Sequence, residues 1–279
     1  MIDLHCHSTA SDGTESPADV VWRAAAKGVT TVALTDHDTV GGWEEAAAAL
    51  LPGTVLVPGM ELSCRSAEGS LHLLAYLFDP DEPDLAAERD RIVGDRVHRA
   101  HAMVERLRDL GVPISWERVA ALADGAVGRP HLARALMDLG VVSSLEEAFD
   151  PAWLGREGRA YVERYGLDPV RAVQLVNAAG GVCVLAHSRR TGYIANDAMI
   201  EKLAAAGLGG LEVDHPGHTP ADRARLRDLA QGLDLPVTGS SDDHGELTGH
   251  RLGCETTSRA AYEALIGQAR WGNPLSGDD

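Results

Sequence analysis

The sequence predicts an α/β protein whose strands form a closed or nearly closed barrel, interrupted by an all-helical insertion. Short apolar runs rich in β-branched residues alternate with Ala-, Leu- and Arg-rich stretches of helical pattern, which is typical of βα units in a parallel sheet. This alternation stops after Phe78, and no strand candidate occurs between about residues 80 and 165. We therefore expect a barrel domain formed by residues 1–79 and 166–279, and a small helical cap domain formed by residues 80–165.

Seven segments are predicted to be the strands of the barrel. They are residues 2–7, 30–35, 54–58, 71–78, 181–187, 210–215 and 236–240. The first crossover helix has recognisable ends, because Ser16 suits the N-cap, Pro17 the first turn and Gly28 the position after the last turn. Similar crossover helices are predicted over residues 43–51, 168–179, 197–206 and 220–229.

The insertion begins at residues 79–83, where two prolines and three carboxylates end the preceding strand pattern. One long helix is predicted over residues 84–110. Shorter helices are predicted over residues 116–123, 130–139 and 145–149. The insertion is therefore expected to fold from helices alone.

Composition restricts the partners of this chain. It has 279 residues with 42 acidic and 25 basic side chains, a formal net charge of −17, which argues against a long nucleic acid because such binding requires a basic surface. No apolar run approaches the roughly 18 residues that cross a bilayer, and the N-terminus lacks the pattern of a signal peptide. The four cysteines are scattered and form no CxxC pair, so we expect reduced thiols and a cytoplasmic protein.

Histidine and carboxylate side chains are concentrated at the predicted strand ends. The C-terminal ends of parallel barrel strands form one rim, where such folds place their active sites. In His5-Cys6-His7, side chains two residues apart share one face of the strand, so both imidazoles can point into the mouth of the barrel. Further candidates at strand ends or adjoining loops are Asp12, Asp36, His37, Asp38, Glu61, His72, His187, His215, Asp242, Asp243 and His244.

This concentration of ionisable groups predicts a metal centre. A single histidine at a strand end is weak evidence, but at least nine imidazoles and carboxylates in one mouth are costly to crowd together unless cations compensate them. Bound divalent metals supply that compensation. Because the donors are nitrogen and oxygen only, Mn²⁺, Fe²⁺ or Zn²⁺ fit better than copper(I) or an iron–sulfur cluster.

Five motifs, in order along nearly the whole chain, resemble those of the PHP (polymerase and histidinol phosphatase) superfamily. They are His5-Cys6-His7-Ser8 with Ser11-Asp12-Gly13-Thr14, Thr35-Asp36-His37-Asp38-Thr39, Pro58-Gly59-Met60-Glu61-Leu62-Ser63, Ala186-His187, and Ser241-Asp242-Asp243-His244-Gly245. The resemblance implies a distorted (β/α)₇ barrel with two to three divalent metal ions. The insertion and the segment from Gly128 to Arg134 resemble the stand-alone phosphoesterases of this superfamily.

The resemblance also implies a ligand set for each metal. His5, His7, Glu61 and Asp242 would hold the first. Glu61 would bridge to a second metal held by His72 and His187. Asp12, His37 and His244 would hold the third. Asp36 and Asp38 are expected to orient histidines from behind.

Two positions depart from the family pattern. Relatives often have a proline after the third-motif histidine, followed by a basic and aromatic pair, whereas this chain has Ser188-Arg189-Arg190-Thr191-Gly192-Tyr193. An aromatic residue is also common where Asp243 stands. The metal sites are expected to tolerate both changes, while substrate preference depends on them.

The predicted enzyme is a metal-dependent phosphoesterase that hydrolyses a phosphomonoester of a small nucleotide, a nucleoside 3′,5′-bisphosphate or a mononucleotide. Metals lower the pKa of bound water enough for a bridging hydroxide to act as nucleophile, supported here by His5, His7, Glu61, His187 and Asp242. Arg129 is the first candidate for a bidentate grip on phosphate, because a guanidinium offers two parallel hydrogen bonds. The other expected substrate contacts are His131, His215, His218 and Arg190.

Three alternatives remain open at this point. A 5′-3′ exonuclease would use the same chemistry on short RNA, whose 5′ end resembles a nucleoside bisphosphate. An amidohydrolase layout also matches the HxH pattern with His187, His215 and Asp242, although the glutamate motif and the absence of a strand-end lysine disfavour it. A degenerate, non-enzymatic barrel would lack ligands, and none is missing.

Overall fold

The computed structural model describes residues 1–123, 127–156, 158–163 and 165–278. The chain divides into two compact units, one formed by residues 1–89 with 166–279 and the other by residues 90–165. The first unit is an α/β barrel and the second is helical. Among the described residues, no helix combines the length and the apolar character that a membrane span requires.

The α/β unit is built around one large sheet. The strands of the chain are β1 (Ile2–Cys6), β2 (Thr31–Leu34), β3 (Val55–Ser66), β4 (Gly69–Tyr76), β5 (Val182–Leu185), β6 (Arg189–Arg190), β7 (Tyr193–Ile194), β8 (Gly210–Asp214), β9 (Val237–Gly239) and β10 (Leu275–Ser276). The main sheet has the order β1-β2-β3-β4-β5-β8-β9, and these are the seven strands predicted from the sequence. Backbone hydrogen bonds of 2.9 Å from Asp242 N to His5 O and from His7 N to Asp243 O nearly close it into a barrel.

Strand β4 departs from the parallel arrangement that the βα pattern predicts. Strand β3 extends to Ser66, eight residues beyond its predicted end, and the chain returns at once as β4, with Ser66 opposite Gly69 and Ser63 opposite His72. Strand β4 is antiparallel to both β3 and β5. The physical reason is the connection: two residues suffice for a hairpin, whereas a parallel crossover needs a dozen or more.

The predicted helices lie where the sequence pattern places them, although several ends differ by one to three residues. They are α1 (Pro17–Ala26), α2 (Trp43–Ala48), α3 (Pro83–Asp109), α4 (Trp116–Ala120), α5 (Arg129–Asp138), α6 (Leu145–Ala148), α7 (Pro169–Ala178), α8 (Asp197–Ala205), α9 (Pro220–Gly232) and α10 (Arg259–Ile266). Ser16 caps α1, since its hydroxyl accepts from Asp19 N at 3.1 Å. Helix α10 and a 3₁₀ turn at Gly245–Thr248 were not predicted.

Apolar packing holds the strands of the barrel together. Leu4, Val57, Leu74 and Val184 belong to one buried cluster, which Leu265 of α10 joins. The Tyr76 hydroxyl donates to Leu4 O at 2.7 Å and ties β4 to β1 inside this cluster. These contacts fix the strands that carry the candidate site.

The helical unit has its own apolar core. Buried side chains from α3, α4 and α5 meet there: Met103, Leu107, Val119, Leu132 and Leu136. Arginines of α3 fasten the returning chain: Arg99 Nε donates to Val162 O at 2.6 Å, and the Arg91 guanidinium lies 4.0 Å from the centre of the Tyr165 ring. The unit therefore combines an apolar interior with arginine contacts at its edge.

Candidate metal centre

The structure brings the nine predicted metal-ligating residues into one cluster at the barrel mouth. Three groups of nitrogen and oxygen atoms within 4.8 Å of one another form part of it. The groups are His5, His7, Glu61 and Asp242; then His37, Glu61 and His72; and then His7, Asp12, His37 and His244. The ninth residue, His187, reaches the same cluster through Glu61, because its Nε2 lies 2.9 Å from Glu61 Oε1.

Glu61 stands at the centre of this cluster. Its Oε1 lies 2.5 Å from His72 Nδ1 and 2.9 Å from His187 Nε2. Its Oε2 lies 3.2 Å from His5 Nε2 and 3.1 Å from His7 Nε2. The two oxygens therefore face different sets of imidazoles, which is the arrangement that a bridging carboxylate requires.

The antiparallel direction of β4 explains how His72 reaches the mouth. In a parallel strand, a residue near the N-terminal end lies at the bottom of the barrel, away from the rim. His72 lies near the start of β4 but pairs with Ser63, two residues beyond Glu61, because the strand runs the opposite way. Each strand of the β3–β4 hairpin thus contributes one candidate ligand, Glu61 from β3 and His72 from β4.

His37 lies between two groups rather than in one. Its Nδ1 is 3.2 Å from Glu61 Oε2, and its Nε2 is 3.8 Å from Asp12 Oδ2. The third group also includes His7, whose Nδ1 lies 3.9 Å from Asp12 Oδ1. The implied set for the third metal contained only Asp12, His37 and His244, so the geometry adds a nitrogen of His7 to the candidates.

The cluster has the chemistry of a metal site. His5 Nε2 and His7 Nε2 face each other at 3.1 Å, and the Nδ1 atoms of His7 and His187 have no hydrogen-bond partner among the described residues. Buried ring nitrogens without partners are costly, and a bound cation would engage them. Nitrogen and oxygen donors suit Mn²⁺, Fe²⁺ or Zn²⁺, so the residues present fit divalent metals.

Neighbouring histidines keep the buried carboxylates of the cluster ionised. Burial opposes ionisation of Glu61, but the charges of His72, His37 and His5 hold its pKa well below its usual range. Burial likewise opposes ionisation of Asp242, while His5 and His244 hold its pKa well below the ordinary value. Both carboxylates are therefore ionised, the form that coordinates a cation.

Glu212 supports the ligands from behind and was not singled out from the sequence. This fully buried residue of β8 accepts from His187 N at 2.6 Å, lies 3.0 Å from His5 Nδ1 and accepts from Ser240 Oγ. Burial opposes its ionisation, but His5 lowers its pKa to about 2. Glu212 thus holds the Nδ1–H form of His5 and leaves Nε2 to face the metal group. The available signal was a carboxylate inside an otherwise apolar strand.

Asp36 accepts hydrogen bonds from the loop after β1 rather than from a histidine. Its Oδ1 accepts from Ser8 N at 2.7 Å and from Ser11 Oγ at 2.6 Å, and its Oδ2 accepts from Ser8 Oγ at 2.7 Å. Asp38 Oδ1 accepts from Ser63 N at 2.6 Å. Asp36 therefore fixes the segment that carries Asp12, in place of the expected contact with an imidazole.

Asp243, where relatives often have an aromatic residue, organises a second loop. Its Oδ1 accepts from Arg251 N at 2.6 Å and from Thr248 Oγ1 at 2.8 Å, while its Oδ2 accepts from Gly245 N at 3.2 Å. An aromatic side chain could not accept these hydrogen bonds. The carboxylate therefore fixes the turn that follows His244.

Two of the cluster residues have unusual backbone conformations. Asp242 has φ +50° and His187 has φ +25°. Positive φ is costly for residues other than glycine and is concentrated at functional sites. Two candidate ligands are therefore in backbone conformations that the surrounding structure must hold in place.

The segment after His187 differs from the family pattern but still places a basic and an aromatic side chain next to each other. Arg190 and Tyr193 are register partners in the β6–β7 hairpin, and the Arg190 guanidinium lies 5.8 Å from the Tyr193 ring centre. Arg190 Nη1 lies 3.1 Å from Asp242 Oδ2. The Tyr193 ring lies 4.4 Å, centre to centre, from the His72 ring. The hairpin thus returns both side chains to the metal cluster.

The two candidate histidines after β8 have different surroundings. His215 Nε2 lies 3.2 Å from Asp242 Oδ2, at the cluster. His218 Nδ1 contacts Val213 O at 2.9 Å, and its Nε2 accepts from Arg189 N at 3.2 Å. Both ring nitrogens of His218 are therefore engaged by backbone, which favours a role in holding the hairpin over substrate contact.

The two candidates in the helical unit lie at the start of α5. His131 is buried, and its Nδ1 accepts from Gly128 N at 2.9 Å, which closes the first turn of the helix. The Arg129 guanidinium lies 5.4 Å from the centre of the Phe149 ring. His131 is accordingly a cap of α5 in this structure, and substrate binding by Arg129 stays a prediction.

Known proteins resemble this chain over most of its length. The PHP domain model matches residues 3–110. A 5′-3′ exoribonuclease from Haemophilus influenzae is 37% identical over 247 residues, which cover 87% of this chain and 89% of that protein. A 3′,5′-nucleoside bisphosphate phosphatase from Chromobacterium violaceum is 34% identical over 257 residues, which cover 90% and 89%.

A solved structure extends the similarity to the fold. A Bifidobacterium adolescentis protein assigned as a metal-dependent phosphoesterase superposes with a TM-score of 0.90 at 34% identity, covering 96% of each chain. The sequence similarity, the shared fold and the imidazoles and carboxylates at the barrel mouth all support the same assignment. This chain belongs to the PHP family and is a metal-dependent phosphoesterase.

Proposed function

We propose that the enzyme removes a phosphate from a small nucleotide, with a nucleoside 3′,5′-bisphosphate as the preferred substrate. The observation that carries this proposal is the position of Asp242. Its Oδ1 lies 3.4 Å from His5 Nε2 and from His7 Nε2, while its Oδ2 lies 3.2 Å from His215 Nε2 and 3.1 Å from Arg190 Nη1. Donors for an anionic phosphoryl group therefore adjoin the candidate metal ligands.

Two to three divalent ions, drawn from Mn²⁺, Fe²⁺ and Zn²⁺, are proposed for this mouth. His5, His7, Glu61 and Asp242 would hold one ion, and Glu61 with His72 and His187 a second. Asp12, His37 and His244 would hold the third. When bound, such ions supply a water of lowered pKa and neutralise charge on the phosphoryl oxygens.

The residues of the chain perform the remaining tasks. Arg190 is 45% exposed and lies on a hairpin, so its guanidinium can turn from Asp242 to a phosphoryl oxygen. His215 is buried, and burial lowers its pKa, so the neutral imidazole is the form beside Asp242. Arg129 is proposed to grip a phosphate.

A 5′-3′ exoribonuclease acting on short RNA is the second candidate. It is favoured by the Haemophilus influenzae relative, which carries that name at 37% identity. The net charge of −17 weighs against long polymers but not against a few nucleotides. The two candidates share one reaction and differ in whether further nucleotides are attached to the first one.

A substrate panel separates them. The Mn²⁺-loaded enzyme would be assayed for kcat/KM on a nucleoside 3′,5′-bisphosphate, a nucleoside 5′-monophosphate, a 5′-phosphorylated RNA of about five nucleotides and an aryl phosphate. We expect the bisphosphate to give the highest value. A higher kcat/KM on the RNA would establish the exonuclease, and hydrolysis of none of the four would contradict both proposals.

A further inference from the structure

Arg251 contacts Asp242 in two places, although the sequence pattern does not single it out. Its Nη2 donates to the backbone oxygen of Asp242 at 2.7 Å and lies 3.5 Å from Asp242 Oδ2. The Arg251 side chain is 27% exposed and that of Asp242 is 2% exposed. One guanidinium nitrogen therefore reaches both the backbone and the carboxylate of a candidate metal ligand.

The backbone around Arg251 is anchored on both sides. Arg251 N donates to Asp243 Oδ1 at 2.6 Å, and Gly253 N donates to the buried Asp3 at 2.8 Å. Between them, Leu252 is buried in an apolar cluster with Cys6 and Leu34. The guanidinium is thus delivered from a fixed point, as precise positioning requires.

Asp242 needs such support, because its conformation is unfavourable by itself. Its φ of +50° lies in the left-handed region, which L-residues other than glycine adopt only when the surrounding structure holds them there. The carboxylate must also keep Oδ1 toward the nitrogens of His5 and His7, at 3.4 Å from each. A donor that holds both the carbonyl and Oδ2 fixes the backbone and the side-chain rotation together.

We propose that Arg251 is a positioning residue that aims Asp242 at the first metal group. Arg190 contacts the same oxygen, Oδ2, but it is 45% exposed and lies on the β6–β7 hairpin. The two guanidinium groups then have separate tasks: Arg251 keeps Asp242 in place while Arg190 turns to the substrate. The task of Arg190 rests on the proposed function, whereas that of Arg251 requires only the metal.

The test compares Arg251→Ala, Arg251→Lys and Arg190→Ala, with Arg227→Ala as a matched control. Arg227 also pairs with a carboxylate of the barrel, at 2.7 Å from Asp214 Oδ1, but Asp214 belongs to none of the metal groups. Mn²⁺ affinity and stoichiometry would be measured by calorimetry on protein stripped with EDTA. Thermal stability of the metal-free protein and kcat and KM at saturating Mn²⁺ complete the comparison.

Arg251→Ala should weaken the tightest Mn²⁺ site about tenfold to a hundredfold, the usual effect of losing support behind a ligand. It should lower kcat and change KM by less than about threefold. Arg251→Lys should fold in any case and bind Mn²⁺ about threefold to tenfold more weakly, because an ammonium lacks the planar fork. Arg190→Ala should raise KM and keep wild-type Mn²⁺ affinity. Arg227→Ala should change neither KM nor Mn²⁺ affinity.

Wild-type Mn²⁺ affinity in Arg251→Lys and in folded Arg251→Ala would overturn the proposal. An increase in KM alone, as expected for Arg190→Ala, would also overturn it, because Arg251 would then act on substrate. If no nucleotide is hydrolysed, the proposed function fails, but the Mn²⁺ titrations still decide the role of Arg251.

Discussion

The most deeply buried side chains of the barrel unit and of the helical unit differ in kind. In the barrel, His5, Glu61, Glu212 and Asp242 are at most 1% exposed, beside the apolar clusters. In the helical unit, the interior is formed by Met103, Leu107, Leu132, Leu136 and similar residues. Buried ionisable groups stabilise a fold only when they are compensated. The difference indicates that the barrel mouth is shaped for a cation, whereas the helical unit is shaped by packing.

The two units also differ in charge. The helical unit, residues 90–165, contains 12 acidic and 11 basic side chains, whereas the rest of the chain contains 30 acidic and 14 basic ones. The acidic excess thus belongs to the barrel unit, which attracts divalent cations. The argument from net charge against polyanions therefore applies to the barrel and much less to the helical unit.

Substitution of one histidine in each unit gives the largest expected contrast. His5→Ala removes a ligand nitrogen, so we expect kcat/KM to fall by at least about a thousandfold, with far-UV circular dichroism unchanged. His101→Ala in the helical unit removes only a ring stacked at 3.5 Å on Trp116, and should change kcat/KM by less than about threefold. Retained activity and metal content in His5→Ala would refute the ligand assignment.

Arg129 tests whether the helical unit takes part in the reaction at all. If it grips a phosphate, Arg129→Ala should lower kcat/KM by about a hundredfold and leave metal content unchanged, and Arg129→Lys should recover only part of the loss. The measurement uses a nucleoside 3′,5′-bisphosphate and an aryl phosphate, with the exposed Arg118→Ala as control.

The pattern across the two substrates locates the contact. A loss confined to the nucleotide would place Arg129 at the second phosphate, and a loss on both would place it at the scissile one. Unchanged kcat/KM on both substrates would remove Arg129 from the site and leave the helical unit without an assigned residue.

Glu212 tests whether a buried carboxylate behind a candidate ligand supports metal binding in the barrel. Glu212→Gln keeps the shape but removes the charge that holds the Nδ1–H form of His5, so Mn²⁺ affinity should fall about tenfold. The exposed Glu263→Gln, which loses only a pair with Arg259, is the matched control. Equal Mn²⁺ affinities in wild type and Glu212→Gln would show that His5 needs no such support.

Local pattern predicts the seven barrel strands, whereas the nine clustered residues were assigned through the resemblance to the PHP motifs. Apolar β-branched runs mark the strands, and ionisable residues at their ends mark the mouth. The direction of β4 was missed because it depends on a two-residue turn rather than on the strand itself. Arg251 and the cap role of His131 depend on loop geometry, which residue type alone does not reveal.

A surface ion pair should give the smallest effect. The hydrogen bond from Arg225 lowers the pKa of Asp197, which also contacts Arg189. A lowered pKa stabilises the fold above the unfolded value near 4, and this contribution is lost as pH falls through the folded pKa. Urea unfolding of Asp197→Asn should show a loss below about 1 kcal/mol at pH 7, shrinking between pH 5 and pH 3; a constant difference would contradict this.

The most direct test of the metal centre is a titration of EDTA-stripped protein with Mn²⁺. Calorimetry would measure the binding, and hydrolysis of a nucleoside 3′,5′-bisphosphate would measure the return of activity. We predict that two to three equivalents bind, that the stripped protein is inactive, and that activity returns as the sites fill. Hydrolysis at the wild-type rate by metal-free protein, or no binding of Mn²⁺, Fe²⁺ or Zn²⁺ by folded protein, would contradict the conclusion that these imidazoles and carboxylates form a catalytic metal centre.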